Sequence, residues 1–221
     1  MAKPFAWSYT GLSDFESCPK KFYHLRVAKD VKDDDNSFSA EGKKVHDAMY
    51  QRVFKGKDLP LELARFESLA AKLEALPGRK DGEMKLALNR KFESRGFFDP
   101  DVWVRGVCDF LCINDTHALI VDYKTGKEKD DFTQLSMTAA ILQQSFPKVN
   151  RWTIAFCWMQ QGGKMTKRIL TTEDHIETWS DLLPRVERIE SALRVSEFPA
   201  KKSGLCSYCP VTSCVHHARR S

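Results

Sequence analysis

The chain has 221 residues, 42% of them apolar and 29% charged, with a net charge of +5. This composition excludes a disordered or fibrous chain and fits one globular domain with a sizeable core. No apolar run reaches membrane-spanning length, and the opening MAKPFAWSYTGLSDFE holds no apolar leader, so a cytoplasmic protein is expected. The modest basic excess permits a nucleic-acid partner without requiring one.

In chain order, residues 12–26 carry Leu12, Phe15, Phe22 and Leu25 around Pro19, which predicts two short helices with Ser13 as a cap. The polar stretch VKDDDNSFS at 31–39 reads as a loop. Residues 40–54 predict a helix with a stripe of Val45, Met49 and Val53. A second helix spans 61–76 and stops at Pro77-Gly78. From Glu83 the sequence alternates, with Met84, Leu86, Leu88 and Phe92 on one face, which is strand periodicity. A hairpin follows at 102–125, a helix at 132–146, strands at 151–159 and 164–171, and a helix at 173–195. The last 25 or so residues are irregular. The order of helix, three strands, helix and strand predicts a mixed sheet flanked by helices.

The hairpin, GVCDFLCINDTHALIVDYKTGK, poses a physical problem. With Asn114-Asp115 as its two-residue turn, Ile113 faces Thr116 and Asp109 faces Ile120. Period-two alternation then turns Asp109, Asp122 and Lys124 to one side, for any even loop. The surrounding positions are apolar, so two carboxylates there are costly unless paired or bound to a cation. Paired carboxylates suit Mg²⁺ or Mn²⁺, and a nearby lysine can orient a water or meet a phosphate. A structural Asp–Lys ion pair explains a lone D-x-K equally well. On the helix before it, Gly42 and His46 lie one turn apart beside the apolar stripe. Glu83 is either an accessory acid or a solvated charge.

Seven cysteines in a chain without an export signal favour ligation over disulfides. Cys18 by itself reads as a buried apolar residue, whereas Cys206 and Cys209 have C-x-x-C ligand spacing and Cys214 adds a third local thiol. Such a set suits structural zinc or an iron–sulfur cluster. Cys108, Cys112 and Cys157 lie in strand patterns and are expected in the core.

Together these motifs resemble the PD-(D/E)XK nuclease superfamily, in particular its RecB-like branch. They are G-x-x-x-H at Gly42 and His46, G-x-x-D at Gly106 and Asp109, D-x-K-T-G from Asp122 to Gly126, and Gln134 opening the next helix. Thr138 stands where the branch usually has tyrosine. The opening SYTGLSDFESCPKKFYHLR and the closing CSYCPVTSC are similar to the branch's iron–sulfur members, which include CRISPR-adaptation and phage-encoded exonucleases. The resemblance implies an αβββαβ core and a single nuclease domain over 1–221. Residues 1–30 and 196–221 would form a cap ligated by Cys18, Cys206, Cys209 and Cys214, with a 4Fe–4S cluster preferred over zinc. It implies Mg²⁺ or Mn²⁺ held by His46, Asp109, Asp122 and the Tyr123 carbonyl. Lys124 would activate water, and Gln134 would orient the site.

The activity implied is phosphodiester hydrolysis, by an exonuclease acting on single-stranded DNA or DNA ends. Its setting would be recombination, repair or phage replication in a bacterial or phage-infected cell. No helicase motif is present in the sequence, so unwinding would fall to a helicase or a recombination or replication partner. Lys20, Lys21, Lys127, Lys201 and Lys202 are candidates to line a DNA groove. The competing reading is a non-catalytic zinc or iron–sulfur protein that binds nucleic acid.

Overall fold

The computed structural model describes residues 5–32 and 37–217. Its helices are α1 (Tyr9–Ser17), α2 (Pro19–Phe22), α3 (Ser37–Lys55), α4 (Glu67–Glu74), α5 (Thr133–Ser145) and α6 (Thr172–Val195). Its strands are β1 (Arg79–Leu88), β2 (Val104–Asn114), β3 (His117–Lys124), β4 (Arg151–Trp158) and β5 (Lys164–Thr171). The strands form one sheet in the order β1-β2-β3-β4-β5. Every neighbouring pair is antiparallel except β3 and β4, which α5 joins in parallel. This is the mixed α/β sheet flanked by helices that the element order predicts. Among the described residues no helix is long and apolar enough to cross a membrane.

The described residues form two compact units, one of 5–6 and 37–179, the other of 7–32 and 180–217. The first holds the sheet. On one face Val45, Met49 and Val53 of α3, with Ala70 and Leu73 of α4, pack on Phe110, Cys112, Val121, Tyr123, Ala155 and Cys157. On the other face α5 buries Leu135, Met137, Ile141 and Leu142. Two-sided cover explains why β3 and β4 are buried along most of their length instead of at alternate positions. The cysteines at 108, 112 and 157 are buried and free, as expected of core residues.

In the second unit, Ser8 caps α1 by accepting a hydrogen bond from the Gly11 N–H at 3.2 Å. The expected cap, Ser13, lies within the helix instead. Pro19 starts α2 at its first turn, where no N–H is needed, and a π-helical turn (Tyr23–Ala28) follows. Arg185 of α6 grips Glu16 with two hydrogen bonds of 2.8 Å. The chain beyond α6 returns to α1 and α2: Phe198 stacks near Tyr23 at 4.8 Å, and Lys20 N–H donates to the Pro199 carbonyl at 3.3 Å. The expected helix at 61–76 is a 3₁₀ turn (Leu61–Phe66) running into the short α4. Residues 33–36 of the expected 31–39 loop lie outside the described residues, and α3 starts at Ser37.

The hairpin turn falls one residue later than expected. Asn114 pairs with His117, Leu111 with Ile120 and Phe110 with Val121, leaving Asp115 and Thr116 at the tip. Asp115 takes the left-handed conformation at φ 53°, which a short polar side chain tolerates better than most. The register moves by an even number of residues, so the same-face relation of the aspartates survives. One further step in this register sets Asp109 opposite Asp122 instead of Ile120.

Candidate active site

Three elements deliver the site: α3 supplies His46, the hairpin supplies Asp109, Asp122, Tyr123 and Lys124, and α5 supplies Gln134. His46 Nε2 lies 2.8 Å from the Tyr123 carbonyl and Nδ1 lies 3.3 Å from Asp109 Oδ2. Asp109 Oδ2 also accepts from the Tyr123 N–H at 3.0 Å. Gln134 bridges the other pair: its amide nitrogen donates to Asp122 Oδ1 at 3.0 Å, and its Oε1 accepts from Lys124 Nζ at 2.9 Å. Lys124 Nζ stands 2.8 Å from Asp122 Oδ2 and 5.3 Å from the centre of the Phe156 ring. The residues read from the sequence as ligands and catalytic groups thus come together at one end of the sheet.

Gly42 opens the approach. A Cβ there would come 3.4 Å from Thr125 Oγ1, so the glycine lets α3 run close to the end of β3. Gly42, Lys43, His46, Asp47, Tyr50, Gln51 and Glu83 line a groove of about 680 Å³ beside the site. Thr138 is buried and donates to the Gln134 carbonyl at 2.9 Å, so this side chain is spent on its own helix.

Charge is poorly accommodated here without a cation. Asp109 and Asp122 are among the few buried charged residues. Burial first, and then the charge of Asp109, push the Asp122 carboxyl up to about 6, although Lys124 opposes the shift. Asp122 Oδ2 is wholly buried, and the Lys124 ammonium at 2.8 Å is its partner. Burial disfavours the charged form of His46, yet Asp109, the Tyr123 carbonyl and Asp122 outweigh it and raise the imidazole to about 9. Two buried carboxylates, an imidazole and a backbone carbonyl make a donor set that fits Mg²⁺ or Mn²⁺.

One member of the neighbourhood is only weakly legible in the sequence. His46, Glu83 and Asp109 offer ligand atoms that all lie within 4.8 Å of one another. Glu83 does not open a strand. It sits inside β1 with φ 49°, a left-handed conformation that is unusual for a non-glycine residue in a strand. Burial and the charge of Asp109 raise its pKa. Its position opposite Asp109 depends on the β1–β2 register, which residue type alone does not reveal.

The four cysteines read as ligands are half-buried and free, and all belong to the second unit. Cys18 Sγ accepts from the Lys201 N–H at 3.4 Å, and Cys206 Sγ from the Ser203 N–H at 3.3 Å. Among the described residues no three of these thiols come within 4.8 Å of one another. Tetrahedral zinc requires sulfurs about 3.8 Å apart, whereas a four-iron cluster seats each thiolate on a different iron. Of the lysines suggested for a DNA groove, Lys21 pairs with Asp14 at 3.4 Å and Lys201 donates to the Glu16 carbonyl at 2.8 Å, so both have structural partners.

A mixed sheet carrying an imidazole, two buried carboxylates and a lysine at one end defines a class of metal-site hydrolase folds. Residues 6–214 match the family model of the PD-(D/E)XK nuclease superfamily, and the chain belongs to that superfamily. Among solved structures it is similar to a "Putative exonuclease" from Eubacterium rectale. That likeness has 15% identity, covers 98% of this chain and 91% of that one, and has a TM-score of 0.57, which speaks for the fold alone. The structure of SSO0001 aligns over 99% of this chain and 90% of that one at 11% identity, with a TM-score of 0.49, too low to carry an argument. No curated protein matches the chain.

Proposed function

We propose that the chain is a Mg²⁺- or Mn²⁺-dependent deoxyribonuclease of the RecB-like branch, an exonuclease acting on single-stranded DNA or DNA ends. The observation that carries this reading is the convergence of His46, Asp109, Asp122, Tyr123, Lys124 and Gln134 on one sheet end. His46, Asp109, Asp122 and the Tyr123 carbonyl would hold the metal, which supplies Lewis-acid stabilisation of the phosphate and a more acidic water. Lys124 orients that water and offsets the charge that develops on the phosphate. Gln134 ties Lys124 to Asp122, so the cation and the carboxylate move as one unit. The exonuclease description of the Eubacterium rectale neighbour accords with action at ends.

In this reading one nuclease domain spans 1–221, and residues 1–30 with 196–221 form a cap held by a 4Fe–4S cluster on Cys18, Cys206, Cys209 and Cys214. The backbone N–H donors on Cys18 and Cys206 suit thiolates, and all-thiolate ligation with the resemblance to iron–sulfur members favours the cluster over zinc. A helicase or a recombination or replication protein would deliver the separated strand. The deciding experiment incubates end-labelled single- and double-stranded DNA with protein in Mg²⁺, Mn²⁺ or EDTA. Metal-dependent shortening from an end is expected, and Asp122→Ala should abolish it. Wild-type protein that cuts nothing in either metal, or Asp122→Ala protein that cuts at the wild-type rate, defeats the reading. Anaerobic purification with iron and zinc quantification tests the cap: about four irons per chain are expected. One zinc in place of iron would keep the ligands and replace the cluster.

A further inference from the structure

The connection between β1 and β2 carries an aromatic pair, Phe98 exposed and Phe97 half-buried, that the site does not use. Residues 95–101 read RGFFDPD. Phe98 is 73% exposed, and its ring meets that of Phe97 edge to face at 5.2 Å. Lys85 Nζ lies 5.7 Å from the Phe97 centroid and 5.3 Å from that of Phe98. The Arg105 guanidinium lies 5.2 Å over Phe97. Val107, the strand partner of Lys85, is 42% exposed beside them. Neither cation has an ion pair among the described residues, and Arg105 Nε is shielded with no acceptor. The loop's own carboxylates are engaged elsewhere: Asp99 accepts from the Gly96 N–H at 2.8 Å, and Asp101 pairs with Arg95 at 2.8 Å.

The backbone sets this cluster on the same sheet face as the groove. In the first half of β1, Gly82 turns toward α3, where a Cβ would collide with the Phe54 ring. Beyond the left-handed Glu83 the alternation switches, and Gly106, partner of Leu86, faces Ile141 of α5. The alternate residues Lys85, Arg105 and Val107 therefore face away from α5, on the side that α3 covers further along. Val107 is two residues from Asp109 and Arg105 four, which is about 7 and 13 Å along a strand.

A ring pair whose outer member, Phe98, is exposed and whose flanking cations have no ion pair matches what an unpaired nucleic-acid strand offers: flat base faces to stack on and phosphates to meet the charges. A duplex hides those base faces, and a protein interface of stable size needs a far broader apolar patch. We propose that Phe97, Phe98, Lys85 and Arg105 form a stacking platform for unpaired nucleotides of a DNA strand that runs from this loop to Asp109 and Asp122. The platform names the substrate class of the proposed nuclease site and rests on that reading for its direction. It would hold bases a few nucleotides from the cut.

The test measures binding of a fluorescent oligothymidylate and of a blunt duplex of equal length in EDTA, so that cleavage plays no part in the readout. Phe98→Ala should weaken single-strand binding roughly 5- to 100-fold and leave duplex binding unchanged. Lys85→Ala and Arg105→Ala should each lower the salt slope of single-strand binding by about one. Phe98→Trp should keep the affinity, and its emission should be quenched on binding. Because Phe98 is exposed, none of its variants should shift the melting temperature. The platform is overturned if Phe98→Ala binds the single strand like wild type, or if it loses duplex affinity equally. A variant that changes only the protein's oligomeric size overturns it as well. Wild-type protein that binds the oligonucleotide through Phe98 but cuts no DNA defeats the nuclease reading and leaves the platform. Wild-type protein that cuts while Phe98→Ala binds normally defeats the platform alone.

Discussion

The sheet-end site and the C-terminal tail both gather residues far apart in sequence, by opposite means. At the site, strand register and two-sided helix cover place Asp109 and Asp122 whether or not a ligand is present, so the fold bears the cost of burying charge. In the tail, Val211 is a deeply buried side chain, while Leu205, Tyr208 and Val215 are largely exposed. Apolar burial there is sparse, and the contacts to Tyr23, Lys20 and Cys18 come from Phe198, Pro199 and Lys201. A site held by a core should tolerate loss of its functional groups. A segment held by few contacts should not tolerate the loss of one of them.

The sharpest way to break this contrast is Asp122→Asn. In the proposed nuclease it should lower cleavage on the order of a thousandfold, because a ligand carboxylate is gone. The same change should stabilise metal-free protein at neutral pH by about 1–2 kcal/mol, since a carboxyl whose charge is disfavoured by burial is replaced by a neutral amide. Cleavage assays paired with denaturant unfolding in EDTA check both halves. A variant that is inactive and also less stable would mean that Asp122 is a structural ion-pair residue.

Cys209→Ser probes the other side. It should raise hydrogen exchange across residues 198–217 and around Cys18, and leave β2 and β3 protected, because their contacts lie in the other unit. Equal loosening of the hairpin would show that the two regions share one cooperative unit and would erase the distinction.

The two regions were also unequally legible in the sequence. Residues buried on one periodic face announced α3, β1, α5 and β4, since apolar spacing is a local signal. Side-chain parity in the hairpin was readable even with the turn misplaced by one residue, because an even register shift preserves the face. Choices between near-equal local options were not readable. Ser8 and Ser13 are equally good caps by residue type, and the helix start is decided by packing of Leu12 and Phe15. Glu83 was weighed as a solvated charge because a left-handed residue within a strand has no side-chain signature apart from glycine. The Phe97–Phe98 cluster has no sequence signature, because its cations come from two strands that only register brings together.

The last expected effect is a pH dependence confined to metal-free protein. The Asp122 carboxyl is raised to about 6 in the fold, so its contribution to stability is complete below its ordinary acid range and is lost as pH rises through about 6. His46 is raised to about 9, so its contribution is complete below about 6.5 and is lost as pH rises through about 9. Both groups release protons more readily when unfolded, and both act in the same direction. In EDTA, stability should therefore fall by about 1–3 kcal/mol in total between pH 4 and pH 9, after allowing for coupling within the pair. Added Mn²⁺ should reverse the loss at the alkaline end, because cation binding favours ionised Asp122 and neutral His46. Asp122→Asn should remove the acidic step and keep the alkaline one. A flat profile in wild-type protein, or one that Mn²⁺ leaves unchanged, would place the charge balance of this sheet end elsewhere and remove its link to metal binding.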